Sequence, residues 1–176
     1  MAPEISPTPW AAAIFATLQR HAVSLVAYVP DAGHAELIRR AEADNAMRAV
    51  LLTSEEEGVG LLAGAWLGGR RGVLLMQSSG VGNCINMLSL VRTAPFPFLA
   101  LVTMRGEFGE FNHWQVPMGT ATPDVLRAMG LRILRADFPD EVTPVMEAAA
   151  QQCYAGGTAT VVLLSQRLIG AKAFAK

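Results

Sequence analysis

Apolar and polar positions change period repeatedly along this chain. Ser24–Pro30 (SLVAYVP), Arg48–Thr53 (RAVLLT), Gly72–Ser78 (GVLLMQS), Phe96–Met104 (FPFLALVTM), Leu131–Ala136 (LRILRA) and Thr158–Ser165 (TATVVLLS) are short, nearly continuous apolar runs. They predict strands covered on both faces rather than one. Between them the spacing is helical: Ser6–His21, His34–Asp44, Glu55–Gly69, Val81–Thr93, Thr122–Gly130 and Asp140–Ala155. Cap and proline signals open several of these segments, and glycines close others. Regular alternation of strand and helix predicts an α/β domain, doubly wound, with a mostly parallel sheet of about six strands and helices on both faces. No linker or internal repeat divides the chain, so residues 1–176 read as a single domain.

Such sheets place ligands beyond the carboxyl ends of their strands. The segments that follow the strands here are PDAGH, TSEEEG, MQSSGVGN and MRGEFGEFNHWQ, and the chain's glycine and polar residues concentrate in them. Composition narrows the partners. Charged residues are only 16% of the chain against 52% hydrophobic, which predicts apolar surface covered by another subunit. The formal net charge is -1 and no basic run occurs, so nucleic-acid binding has no support. Cys84 and Cys153 are far apart and form no metal-ligand pattern. The apolar stretch WAAAIFATL is too short to span a bilayer and lacks the basic flank of a signal peptide. A cytoplasmic, oligomeric protein without membrane contact is expected.

Within the loops, QSSGVGN (Gln77–Asn83) resembles a phosphate cradle only in part. Ile85 stands where a dinucleotide fingerprint has its third glycine, and no G-K-[ST] follows. A tight strand-to-helix turn capped by Asn83 and the serines explains it equally well. The segment from Arg105 to Gln115 is long for a connection, which marks a functional loop. Arg105 can fork onto an anion, His113 can act as acid or base, and either can simply be solvated. Asp31 is by default a helix cap and otherwise a ligand contact at the sheet edge. Cys84 lies in an apolar stretch and reads as core.

Three glutamates, Glu55, Glu56 and Glu57, open the helix after the second strand. Ser54 and Glu57 form an S-x-x-E capping box, and Glu55 suits the helix dipole. Capping does not require Glu56. A carboxylate there, at a strand's carboxyl end and beside a helix that reads as buried, can be partly desolvated, which would suit it to hold or donate a proton.

The order strand, EEEGVGLLAGAWLGG, strand, QSSGVGNCINML resembles the pyrimidine-binding domain of thiamine diphosphate enzymes. YVPDAG, RGEFGE and QVPMGTATPDVLRAMG make it similar to sulfopyruvate decarboxylase alpha subunits and to the N-terminal half of phosphonopyruvate decarboxylases, over roughly residues 10–165. The resemblance implies that Glu56 bonds N1' of the cofactor's aminopyrimidine, with Pro30, Gln77, Ser78, Gly80 and Asn83 also on the cofactor. It implies that Asp31 and Gln115 line the substrate site, with Arg105 and His113 toward the substrate's anionic end. The substrate would be 3-sulfopyruvate or 3-phosphonopyruvate, losing carbon dioxide to leave an aldehyde. Another 2-oxo acid lyase or acyl transferase, or a non-catalytic partner-binding domain, is the alternative on the same fold. The family's diphosphate-binding part carries G-D-G and a later Asn that hold magnesium. No G-D-G occurs in these 176 residues. The resemblance therefore implies a separate beta chain that holds the magnesium and diphosphate, with the cofactor between the chains and the charge-free helix after Glu57 at a subunit interface.

Overall fold

A computed structural model describes residues 9–170. The six strands are β1 (Val23–Tyr28), β2 (Arg48–Leu51), β3 (Arg71–Gln77), β4 (Leu99–Thr103), β5 (Arg132–Ala136) and β6 (Thr160–Leu164). Every pairing is parallel, in the order β2-β1-β3-β4-β6-β5. The helices are α1 (Pro9–Arg20), α2 (Ala35–Ala43), α3 (Glu55–Leu67), α4 (Ser78–Cys84), α5 (Ser89–Thr93), α6 (Val116–Ala128), α7 (Pro139–Ala150) and α8 (Gln166–Ile169). The capping signal read at Ser6–Thr8 lies outside the described residues.

Alternate strand residues divide between two cores. Val26, Val73, Leu75, Leu101 and Val162 pack with α1, α2 and α7, whereas Ala27, Leu74, Met76, Val102 and Leu163 pack with α3, α4, α5 and α6. Burial on both faces is the reason the central strands read as unbroken apolar runs. The edge strand β2 is different: Arg48 and Leu51 are exposed.

Three boundaries depart from the pattern. β3 passes straight into α4 at Ser78, so SSGVGN is helix rather than a glycine turn. The helix expected over Val81–Thr93 is broken after Cys84 and resumes at Ser89. α6 begins at Val116 and runs through Pro123, which the pattern reads as a start signal. Pro117 already fills that role in its first turn, where a missing N–H costs no hydrogen bond. The connection after β4 is correspondingly shorter, and it holds a 3-10 turn at His113–Gln115.

Candidate active site

The order turns around β1, with β2 on one side and β3 on the other. Their carboxyl ends bring three segments together. After β1, the Asp31 carboxylate accepts hydrogen bonds from Thr103 Oγ1 (2.7 Å), Gln77 Nε2 (2.9 Å) and the Gly33 amide (3.0 Å). Gln77 Oε1 in turn accepts from Ser79 Oγ at 2.9 Å. Burial opposes the Asp31 charge, but neighbouring His34 and the three donors outweigh it and hold the carboxyl below its ordinary range. Gly33 is required by close approach: a Cβ there would stand 2.7 Å from Thr103 Cγ2.

His34 is fully buried beneath this loop. Its Nε2 faces the carbonyls of Met76 (3.2 Å) and Leu101 (3.1 Å), both acceptors, so Nε2 carries the proton. Burial pulls the imidazole below its ordinary pKa, although the Asp31 charge and the two carbonyls act to raise it. Nδ1 has no partner among the described residues.

The glutamates of α3 separate by direction, and not as their order suggested. Glu55 shares the inward face with Gly58, Val59 and Leu62, the i, i+3, i+4, i+7 set of a buried helix stripe. Its carboxylate is buried, with Oε2 accepting from Asn83 Nδ2 at 2.9 Å. It also lies flush on Gly80, where a Cβ would stand 2.4 Å from Oε1. Glu56 is turned to solvent, and the enclosed position expected of it belongs to Glu55. Glu57 caps the helix by accepting from the Thr53 amide at 2.8 Å, while the Ser54 hydroxyl makes no cap bond. The glycines of α4 serve packing: Gly80 admits Glu55, and Gly82 admits Met118.

Ser78 and Arg105, expected at the ligand, are turned into the protein. The Ser78 hydroxyl is buried and accepts from the Arg105 amide at 3.1 Å. The Arg105 guanidinium grips Glu110 through Nε (2.7 Å) and Nη2 (2.8 Å). Both side chains are buried, and the Arg105 hydrogen bond is the main reason the Glu110 pKa falls to about 2. Gln166, which follows β6, donates to Glu110 and accepts from the amides of Glu107 and Phe108. Arg105 is therefore an internal clamp on its own loop. A second clamp joins Glu107 to Arg135 at 2.7 and 2.8 Å.

The remaining candidates are spread out. Pro30 is exposed on a hollow of about 540 Å³ shared with Tyr28, Asp31, Ile38 and Leu51. His113 is exposed on a different cleft, about 590 Å³, lined by Ser79, Gly82, Trp114, Pro117 and Met118. Gln115 Oε1 is buried with no partner among the described residues. Cys84 is core, as expected, and burial, helped by Glu55 and Glu56, pushes its thiol up to about 12. The structure thus brings together Asp31 with Gln77, Glu55 with Gly80 and Asn83, and Ser78 with Arg105. Sequence reading passed over Glu55, Thr103, Glu110 and Gln166. For Glu55 a usable signal existed, since the helical stripe through Gly58, Val59 and Leu62 points to it.

Residues 9–122 match the family described as thiamine pyrophosphate enzyme, N-terminal TPP binding domain. The chain belongs to that family, and its parallel sheet with helices is the corresponding fold. Among its relatives, the sulfopyruvate decarboxylase subunit alpha of Methanothermobacter thermautotrophicus is 39% identical over 73% of this chain and 79% of that protein. The corresponding subunit of Methanococcus maripaludis is 34% identical over 79% and 84%. A phosphonopyruvate decarboxylase of Streptomyces viridochromogenes is 41% identical over 66% of this chain, a match that spans 30% of that longer protein. Among solved structures, 2-oxoglutarate:ferredoxin oxidoreductase from Magnetococcus marinus superposes with a TM-score of 0.74 over 91% of this chain and 29% of its own. At 12% identity that likeness shows the fold alone. No helix among the described residues is long and apolar enough to cross a membrane.

Proposed function

We propose that this chain is the pyrimidine-binding alpha subunit of a thiamine diphosphate-dependent decarboxylase. Its substrate is a 2-oxo acid with an anionic 3-substituent, 3-sulfopyruvate or 3-phosphonopyruvate, and its products are carbon dioxide and the aldehyde. The observation that carries this reading is Glu55, a buried carboxylate at the carboxyl end of β2, in a chain whose family binds thiamine diphosphate. Its donor set fits the group. A carboxylate that keeps one oxygen on an amide donor and lays the other against a side-chain-free glycine can pair with a ring nitrogen. When bound, the cofactor supplies an electron sink for loss of the substrate's carboxylate.

This chain's residues then divide the work. Glu55 takes the role expected of Glu56 and holds the proton at N1' of the aminopyrimidine. Asp31 and Gln77, locked to each other, form the polar floor between β1 and β3. Arg105 is already paired with Glu110, so recognition of the anionic end falls to His113 and to the partner chain. We assign the diphosphate and its magnesium ion to a beta chain, in keeping with the alpha-subunit names of the relatives. Trp66 and Leu67 of α3 are exposed beside a hollow lined by Ala94, Pro95 and Phe96, which supports the interface reading of that helix. Two free cysteines accord with a cytoplasmic enzyme.

The test is co-expression with a diphosphate-binding chain, followed by assay of aldehyde from 3-sulfopyruvate, 3-phosphonopyruvate and pyruvate. Glu55→Gln should lower kcat by about 100-fold or more, the scale of a lost acid–base group. Glu56→Gln should retain activity. Full activity in Glu55→Gln, or a complex that binds no thiamine diphosphate, would overturn the proposal.

A further inference from the structure

We propose that Asn83 is a positioning residue for Glu55, one that fixes which carboxylate oxygen faces the ligand; this rests on the role given to Glu55 above. Asn83 sits on an exposed position of α4, yet its amide turns back to Glu55 Oε2 at 2.9 Å. A carboxylate only accepts, so Nδ2 must be the atom that faces it. Glu55 Oε1 lies against Gly80, where there is room for the carboxylate only because no Cβ is present. The two oxygens are therefore unlike. One is held by a donor, and the other, over the backbone of α4, has no side-chain donor among the described residues. Turning the carboxylate about its last bond would have to break the hydrogen bond from Asn83 Nδ2 and pass the wall at Gly80.

Helix capping does not account for this residue. Asn83 is six residues past Gln77, the N-cap of α4, and so caps nothing there. Asparagine is also a weak helix former, so propensity does not select it. What distinguishes it is a donor of the right reach, facing the buried carboxylate from the adjacent helix. Asn83→Asp keeps the shape, removes the donor and sets a second carboxylate against Glu55. The double exchange Glu55→Gln with Asn83→Asp reverses donor and acceptor and restores the hydrogen bond.

Thermal unfolding of the single chain tests the pair without any cofactor. Asn83→Asp should lower Tm by about 2–4 °C, and the double exchange should return it to within about 1 °C of the Glu55→Gln value. Failure of Glu55→Gln to rescue Asn83→Asp would overturn the proposal. In the complex with the partner chain, Asn83→Ala should reduce kcat or thiamine diphosphate affinity roughly 10- to 100-fold, the scale of a charge-assisted hydrogen bond. KM for the 2-oxo acid should stay within about 2-fold, since a positioning residue does not touch the substrate. A change in that KM alone, or wild-type kcat and cofactor affinity, would overturn it. A wild-type complex that fails to bind cofactor would instead overturn the functional proposal, leaving the unfolding result to decide the pair.

Discussion

Gly80→Ala is the sharpest single perturbation of the site. Gly80 lies inside α4 and is not among the positive-φ glycines, so its backbone accepts alanine without strain. In an open helix the change would stabilise by about 1 kcal/mol. Here the new Cβ would stand 2.4 Å from Glu55 Oε1, 2.5 Å from Cδ and 2.6 Å from Cγ. Three atoms of one side chain would each be about 1 Å inside van der Waals contact, so the side chain as a whole must move. If α3 and α4 part to absorb it, overpacking costs about 1–3 kcal/mol, and the net loss is about 0–2 kcal/mol. If Glu55 swings out, stability barely changes, but the Asn83 bond and the buried carboxylate are lost. Either way the effect on function far exceeds the effect on folding. The assay is urea unfolding of the chain, paired with thiamine diphosphate titration and turnover of the complex. The expected result is a change in stability of less than about 2 kcal/mol with turnover reduced about 100-fold or more. A variant with wild-type affinity and turnover would show that Glu55 does not work from its place against Gly80, and the assignment would fall.

Arg105→Ala strips the partner from a buried Glu110 and should cost about 3–5 kcal/mol in urea unfolding. Replacing both by apolar residues should cost less, and equal or additive losses would refute the clamp. Glu110 also predicts an acid dependence. Its carboxyl falls from 4.5 to about 2 in the folded chain, so its contribution to stability is complete above about pH 4.5 and is lost as pH falls toward 2. Glu147, held low mainly by Arg20 and also by His21, acts in the same window, so the measurement is the difference between wild type and Glu110→Gln. The two stability–pH curves should converge below that window. On the opposite side of the sheet, the buried Tyr154 hydroxyl donates to the Gly72 carbonyl at 2.9 Å. Tyr154→Phe should cost about 1–2 kcal/mol with turnover unchanged, and any loss of turnover would place coupling where none is drawn.

Most of the fold was legible from the chain's periodicity, because burial on both faces writes itself as unbroken apolar runs in β3, β4 and β6. The segments that form the candidate site were legible too, since polar and glycine residues cluster where strands end. What failed was direction. Three consecutive glutamates offer the same chemistry, and capping arguments assign them by position in the first turn, while burial assigns them by angle around the helix. Only α4, packing across α3, makes Glu55 the enclosed carboxylate and leaves Glu56 in water. Glycines 80 and 82 looked like a ligand-cradling turn because local sequence cannot distinguish space left for a ligand from space left for another side chain. Arg105 looked like a free cation because Gln166, which helps to hold Glu110 in the buried pair, comes from the start of α8, far along the chain. The sequence by itself determined the layers, the class of domain and the stretch that holds the three candidate acids. The tertiary structure decided which of them is enclosed, because partner choice depends on contacts between segments that only the packed sheet brings within hydrogen-bond reach.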